Sequence, residues 1–163
     1  MTDLGPAITR REIERLGLLP SGDPLQLSPL RGGVSSDIFK VEAGGRIFVV
    51  KRALAQLRVK DEWRAPVSRS RHEADWLEVV ARILPGATPA VLARDDEAGL
   101  FAMEYFDPAV FPVWKERLRD GDIDLRLAAE VGRRLVAIHA KTAGDPAIAA
   151  RFVVTLFVSL AES

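Results

Sequence analysis

Short apolar runs separated by turn residues form the clearest pattern in this chain. Runs of this length, rich in β-branched and aromatic residues and bounded by Gly, Pro or Asp, are typical of strands. Five strands are predicted on this basis: Leu25–Arg31, Asp37–Ala43, Arg46–Arg52, Thr88–Arg94 and Leu100–Phe106. Gly44-Gly45 lies between the second and third, and such a pair suits a tight hairpin because both central residues can adopt positive φ. The first three strands are therefore expected to form an antiparallel meander.

Two helices are predicted in the first half of the chain. Thr9 and Glu12 have the spacing of a capping box, which predicts a short helix over about 10–16. A longer helical pattern covers 68–84, where Pro85-Gly86 ends it.

The pattern is helical again from Val113 onward. Apolar and small residues recur at helical spacing on one face, namely Ala128, Val131, Gly132, Leu135 and Ile138. An acidic N-cap at Asp122 or Asp124 would begin this helix, and Gly144 would follow its end. The two aspartates could also be interpreted as a metal-binding pair, but their place before a helix favours capping.

Together these elements predict an α+β fold. It would consist of a five-stranded antiparallel sheet, with one main packed helix inserted after the third strand, followed by a helical part. Residues 1–24 would form an N-terminal helix and loop, 25–106 the strand-rich unit, 107–112 a linker, and 113–163 the helical part.

Composition restricts the partners of this chain. Its 163 residues include 23 Lys plus Arg and 23 Asp plus Glu, so no net charge attracts nucleic acid or an anionic membrane. The absence of cysteine and the presence of two histidines disfavour disulfides and zinc sites. No stretch reaches the roughly 20 apolar residues of a spanning helix. A cytoplasmic protein that binds neither nucleic acid nor membrane is predicted.

Lys51 and Glu73 are the first candidates for chemistry. Lys51 ends the third strand, and Glu73 shares a helical face with Leu77 and Val80, which predicts that the acid is on the buried side. A buried carboxylate needs a cationic partner, and Lys51 is the natural one. Two alternatives stay open. Glu73 could close a capping box with Ser70, and Lys51 could simply extend into water.

The loop before the second strand contains Gly32, Gly33, Ser35 and Ser36. A glycine pair lets the backbone approach a phosphate closely, and the serines can add hydroxyl and amide donors. The loop lacks the Walker-type Gly-x-x-x-x-Gly-Lys-[Ser/Thr] pattern and the full Gly-x-Gly-x-x-Gly of protein kinases or dinucleotide folds. The order of the parts along the chain is a more specific signal than the loop alone. A glycine loop, a strand lysine, a helix glutamate and a fifth strand with a linker follow one another.

In this order of parts the chain resembles the aminoglycoside phosphotransferase and choline-kinase-like family, small-molecule kinases with a protein-kinase-like fold. Three stretches carry the resemblance: Val49-Val50-Lys51, Arg71-His72-Glu73-Ala74-Asp75-Trp76-Leu77 and Met103-Glu104-Tyr105. It covers about residues 25–144. The resemblance implies that 25–106 is a kinase-like nucleotide-binding lobe and that 113–163 is an incomplete second lobe.

The family implies how ATP with Mg²⁺ would bind. Lys51 would hold the α and β phosphates, Glu73 would fix that lysine, and the Gly32–Ser36 loop would cover the phosphates. The other substrate would be a small molecule with a hydroxyl. His139 lies in a run that resembles the helix after the linker, and it is interpreted as a packed helix residue rather than a base.

The adenine would lie against the fifth strand and the linker. By the same resemblance, Met103 would sit behind the ring, and the backbone of Glu104 and Phe106 would contact its edge. Without the family, Met103, Tyr105 and Phe106 would be interpreted as ordinary residues of a strand that packs its core.

Phosphoryl transfer also needs groups that this sequence lacks. The family supplies an Asp in a His-Gly-Asp loop, an Asn five residues later, and a further metal-binding Asp. His72 and His139 are followed by Glu73 and Ala140, so no His-x-Asp occurs. The expectation is the ATP-binding portion of a small-molecule phosphotransferase, inactive as this chain, with no catalytic residue and no Mg²⁺ ligand. The alternative is a noncatalytic nucleotide-binding or interaction module, or a subunit that a partner chain completes.

The last apolar run, Phe152–Leu160, is atypical of the family. It is β-prone and uncharged, which is the composition of segments that aggregate when exposed. Because the family pattern continues to about Ala150, we expect an early stop by truncation or by a shifted reading frame near Arg151. The alternative is a native short protein whose last element packs on its own core.

Overall fold

The structure of the protein is a computed structural model, which describes residues 8–20, 22–30, 35–57 and 65–152. Gly32, Gly33 and the apolar run after Phe152 lie outside the described residues. The predictions made for them are therefore neither confirmed nor contradicted.

Five strands form one antiparallel sheet. They are β1 (Leu25–Pro29), β2 (Ser36–Ala43), β3 (Arg46–Ala53), β4 (Val91–Asp95) and β5 (Leu100–Glu104). Their order across the sheet is β1-β2-β3-β5-β4, so β3 is the central strand. Gly44 and Gly45 form the β2–β3 turn with φ of 55° and 72°. The α+β fold, the meander and the two-glycine hairpin are confirmed.

The fourth strand starts later than predicted, at Val91 rather than Thr88. The Thr88 hydroxyl donates to the Leu77 carbonyl at 3.2 Å, and the Ala90 N–H donates to the Glu104 carboxylate at 2.8 Å. The Ala90 N–H is therefore bonded to a side chain rather than to a backbone carbonyl of β5. The ladder also shifts register between Val91 and Ala93.

Five helices within the described residues accompany the sheet. They are α1 (Arg10–Arg15), α2 (Arg69–Ile83), α3 (Trp114–Arg119), α4 (Leu125–Thr142) and α5 (Pro146–Arg151). The Thr9–Glu12 capping box at the start of α1 is confirmed in both directions. No helix of the described residues is long and apolar enough to cross a membrane.

The aspartates before α4 act as a cap and an ion-pair partner. The Asp124 carboxylate accepts from the Arg126 and Leu127 N–H groups at 2.9 and 3.0 Å, which satisfies two free amides of the first turn. Asp122 accepts from Arg117 Nε at 2.7 Å. The capping interpretation is confirmed for Asp124.

Different parts of the chain cover the two faces of the sheet. Side chains alternate along β3, so Phe48 and Val50 point to one face while Val49 and Lys51 point to the other. The first face is packed by residues 8–19, and this main core consists of Ile8, Ile13, Leu16, Leu18, Leu19, Val41, Ala43, Phe48, Val50, Leu100 and Ala102. The second face is covered by α2. The N-terminal segment therefore shares its core with the strand-rich unit.

Arg52 follows the same alternation and points towards α1. Its guanidinium lies 3.2 Å from a Glu12 carboxylate oxygen and 3.0 Å from an Asp37 carboxylate oxygen. Burial raises the pKa of Glu12, but hydrogen bonds from Thr9 and the charge of Arg52 outweigh it and hold that pKa below its ordinary value. Adjacent residues of β3 thus direct two cations to carboxylates on opposite faces.

A buried carboxylate ties α2 to β4 and α5. Asp75 Oδ1 accepts from Arg94 at 3.0 Å and from Arg151 at 2.7 Å, and the Asp75 side chain is 4% exposed. The same two arginines contact Glu78 at 3.2 and 2.7 Å. Burial would raise the pKa of Asp75, but the hydrogen bonds from Arg151 and Arg94 hold it below its ordinary value. Helix α5, in the helical part, is therefore anchored to α2.

The predicted apolar face of α4 is mostly uncovered by the described residues. Ile138 is buried, whereas Leu135 is 49% exposed. Leu125 and Val136, which complete the apolar surface of this helix, are 78% and 68% exposed. These side chains lie on one helix, α4, and form an exposed apolar surface rather than scattered single residues.

Candidate functional site

Lys51 and Glu73 form an ion pair between the central strand and α2. Lys51 Nζ lies 2.5 Å from Glu73 Oε1. The predicted pairing is confirmed, and the competing capping box is wrong because α2 begins at Arg69, which places Ser70 inside the helix. The predicted burial of Glu73 is also wrong. Its side chain is 43% exposed, because it lies at the rim of the face that Ala74 buries against the sheet.

The pair has the chemistry of an anion site. An ammonium group has three N–H donors, and the Glu73 carboxylate takes one of them, which leaves donors of Lys51 for an anionic oxygen. The Lys51 side chain is 17% exposed, so its charge is partly shielded from water while its end can still meet a ligand. A fixed, partly buried ammonium of this kind suits a phosphate oxygen.

The end of the glycine loop lies beside the end of β3. The Leu54 N–H donates to the Ser35 carbonyl at 3.0 Å, and Ser36 is paired with Ala53. These contacts place both serines two to three residues along the sheet from Lys51. Ser36 is buried, with 8% of its surface exposed, so Ser35 is the better placed of the two to meet a ligand.

Met103 lies on the same face of the sheet as Lys51. It is paired with Val49, and side chains of directly paired residues share a face. Phe106 follows β5 and stacks on Phe111 with a ring separation of 4.7 Å. The structure therefore places Met103 on the side of the candidate site, while the Phe106 ring packs within the linker.

Glu104 has a role that the sequence did not predict. Its N–H donates to the Ala90 carbonyl at 3.0 Å, and its carboxylate accepts from the Ala90 N–H at 2.8 Å. Two hydrogen bonds to one residue hold the end of β5 against the start of β4. The side chain of Glu104 thus fixes the strand end from which the linker departs.

Arg69 is a further residue of the site that the sequence analysis missed. Its guanidinium donates to four backbone carbonyls, those of Ser35 at 2.5 Å, Leu54 at 2.6 Å, Pro66 at 2.9 Å and Ala65 at 3.0 Å. Burial lowers the pKa of Arg69, and the nearby Glu73 carboxylate acts in the opposite direction. One feature of the sequence could have pointed to Arg69. It is the first residue of α2, where the helix dipole disfavours a cation.

The histidines and acids do not form a metal site within the described ranges. No group of three His, Asp or Glu residues there could hold a metal ion. His139 is exposed on α4, so its prediction as a packed residue is wrong. His72 lies on α2 with its ring 6.1 Å from that of Phe152.

A separate cavity lies between α2 and the chain from the end of α4 to α5. It has a volume of about 460 Å³ and is lined by residues that include Trp76, Thr142 and Phe152. Lys51 and Glu73 are not among its lining residues, so we do not assign the nucleotide to it.

The chain is similar to methylthioribose kinases. It is 26% identical over 102 residues to those of Bacillus cereus (strain B4264), Bacillus mycoides (strain KBAB4) and Bacillus thuringiensis (strain Al Hakam). The match covers 62% of this chain but 25% of the Bacillus cereus protein, so the matched part of the chain spans about a quarter of the length of such a kinase. No model of a protein family matches the chain.

Proposed function

We propose that this chain is the ATP-binding portion of a small-molecule kinase, which transfers a phosphoryl group from ATP to a hydroxyl. The observation that carries the proposal is the Lys51–Glu73 pair, with its 2.5 Å separation between β3 and α2. The similarity to methylthioribose kinases supports the proposal independently, because these enzymes are named for the phosphorylation of a small molecule.

The proposed roles follow the positions of the residues. Lys51 binds the α and β phosphates, and Glu73 orients the ammonium so that it need not reorganise when the nucleotide arrives. The loop with Gly32, Gly33, Ser35 and Ser36 covers the phosphates. These groups bind and orient the nucleotide, which is the larger part of catalysis in phosphoryl transfer.

Met103, Glu104 and Phe106 form the proposed adenine side. Met103 contacts the ring from the sheet, and the backbone of the other two contacts its edge. The hydrogen bonds between Glu104 and Ala90 support this assignment, because they fix the strand end that would present the backbone to the ring. Mg²⁺ would accompany the nucleotide, and we assign none of the described residues to it.

The rival function is a noncatalytic nucleotide-binding or interaction module. Two observations favour it: the sequence has no His-x-Asp, and α4 exposes Leu125 and Val136 by 78% and 68%. Further polypeptide, from the same protein or from a partner chain, would cover that surface. Under either function, 25–106 is the nucleotide-binding lobe, 113–163 is an incomplete second lobe, and the protein is cytoplasmic.

Thermal unfolding with Mg·ATP tests the shared part of both functions. At ten times the dissociation constant, binding stabilises the folded state by about 1.4 kcal/mol, which raises the Tm of a domain this size by about 3–6 °C. Lys51→Ala should abolish the shift. Lys141→Ala, which removes an exposed lysine at the end of α4, should retain it. An equal shift in all three proteins, or none in the parent, would contradict the site.

Turnover separates the enzyme from the module. ADP formation is measured with methylthioribose and with aminoglycosides, in a homogeneous preparation of this chain. We expect none, because the sequence supplies no base for the acceptor hydroxyl. Clear ADP formation that Lys51→Ala removes would show that the chain is a complete enzyme.

A further inference from the structure

We propose that Arg69 is a positioning residue, which holds α2 against the end of β3 so that Glu73 meets Lys51. The consequence for ATP rests on the proposed function, whereas the effect on α2 does not. The Arg69 guanidinium donates to four backbone carbonyls, so we expect any influence on binding to act through other residues.

Arg69 joins the same two segments as the ion pair. Its Nη2 donates to the carbonyl of Leu54, three residues after Lys51, and Arg69 itself lies one helical turn before Glu73. The segments that carry the lysine and the glutamate are thus linked twice, by the ion pair and by the guanidinium. The second link also includes Ser35, at the start of β2.

The two links differ in how firmly they can hold a helix. An ion pair whose carboxylate side chain is 43% exposed is weakened by water and by salt. The Arg69 guanidinium is partly buried and binds neutral carbonyls, whose attraction salt screens much less. The planar guanidinium donates to four acceptors in fixed directions, whereas a lysine ammonium is a point charge with three rotatable donors. Arg69 is therefore the link that sets the position of α2.

A double-mutant cycle measures whether Arg69 acts through Glu73. Mg·ATP affinity is determined by calorimetry for the parent, Arg69→Lys, Glu73→Gln and the double variant. Arg69→Lys keeps the positive charge near Glu73 but removes the planar guanidinium. We expect it to weaken Mg·ATP binding by about fivefold. The double variant should bind no more weakly than Glu73→Gln alone. The proposal is overturned if the two substitutions weaken binding by factors that multiply in the double variant, or if Arg69→Lys leaves the affinity unchanged.

Arg71→Lys is the matched control for this cycle. Arg71 lies in the same helical turn, its side chain is 58% exposed, and its nearest carboxylate oxygen is 3.7 Å away on Asp75. The same substitution there should leave ATP affinity unchanged. A loss equal to that of Arg69→Lys would show that any arginine change in this turn weakens binding.

Amide hydrogen exchange tests Arg69 without a nucleotide. In Glu73→Gln, the amides of residues 73–77 should exchange within about twofold of the parent rate, because Arg69 still holds the helix. In Arg69→Lys they should exchange at least about tenfold faster. A tenfold or greater acceleration in Glu73→Gln would overturn the proposal, even if Arg69→Lys does not fold. If the parent fails to bind Mg·ATP, the proposed function fails and the exchange result still decides the role of Arg69.

Discussion

Replacing Asp75 with Asn should destabilise the protein by about 2 kcal/mol at pH 7. The substitution keeps the shape and removes the charge of a side chain that is 4% exposed and accepts from Arg94 and Arg151 at 3.0 and 2.7 Å. Each hydrogen bond to a charged group contributes about 1.5–3 kcal/mol. The expected loss is below the sum, because Glu78 remains beside both arginines and the Asn oxygen can still accept.

Urea unfolding at a series of pH values is the measurement. The pKa of Asp75 is lowered in the folded protein, so its contribution is complete above its ordinary pKa of about 4 and is lost as the pH falls below that value. The difference between the parent and Asp75→Asn should therefore shrink from pH 5 to pH 3. Acid removes from the parent the same charge that the substitution removes.

Asp96→Asn is the matched control. Asp96 accepts from the same arginine, Arg94, at 2.8 Å, but its side chain is 42% exposed. Exposed ion pairs contribute about 0.2–1 kcal/mol, so this variant should cost less than half as much as Asp75→Asn. The reasoning is refuted if Asp96→Asn costs as much, or if the Asp75→Asn difference is the same at pH 3 and pH 7.

Two further predictions concern packing and turns, and thermal or urea unfolding checks both. Ile13→Ala should cost about 2–5 kcal/mol in a single transition, because this side chain is fully buried against the sheet; an unchanged transition would show that the N-terminal segment folds apart from it. Gly121→Ala, at φ +85° with no atom within 4 Å, should cost about 1 kcal/mol from backbone conformation alone. Gly99→Ala should cost at least about 1 kcal/mol more, since its Cβ would lie 3.0 Å from Val67 Cβ, and equal costs would contradict that crowding.

Local patterns predicted the elements of this fold well. The α1 capping box, the β2–β3 glycine pair and the Asp124 cap depend on residues a few positions apart, and all three are present. The predicted ends are less accurate. β4 begins at Val91, next to Ala90, whose N–H donates to the carboxylate of Glu104, 14 residues away in the sequence.

The candidate site was predictable in its pairing but not in its surroundings. Helical periodicity places Glu73 on the sheet-facing side of α2. It does not indicate which edge of that side is exposed to solvent, and the Glu73 carboxylate lies at the exposed edge. Arg69 was missed because its partners are backbone carbonyls, which every residue has and no sequence pattern marks. The role of Arg151 also depends on a contact 76 residues away, with Asp75.

The packing of residues 8–19 on the sheet was likewise not predicted. The sequence separated this segment from the strands by a loop rich in Pro and Gly, and nothing local indicates which surface a short amphipathic helix will cover. The buried position of Ile13 and the Arg52–Glu12 pair assign it to the face opposite α2.

The opposed directions of Lys51 and Arg52 have a consequence for mutations that alter chain length. Sliding β3 by one residue would turn each of its side chains to the other face. A slide that brings Arg52 to the place of Lys51, opposite Glu73, also brings Lys51 to the place of Val50, which is fully buried in the main core. That arrangement would bury a lysine among apolar side chains, and the candidate site would hold a guanidinium in place of an ammonium. The hairpin at Gly44-Gly45 should therefore accept a change of residue type more readily than the insertion or deletion of a single residue.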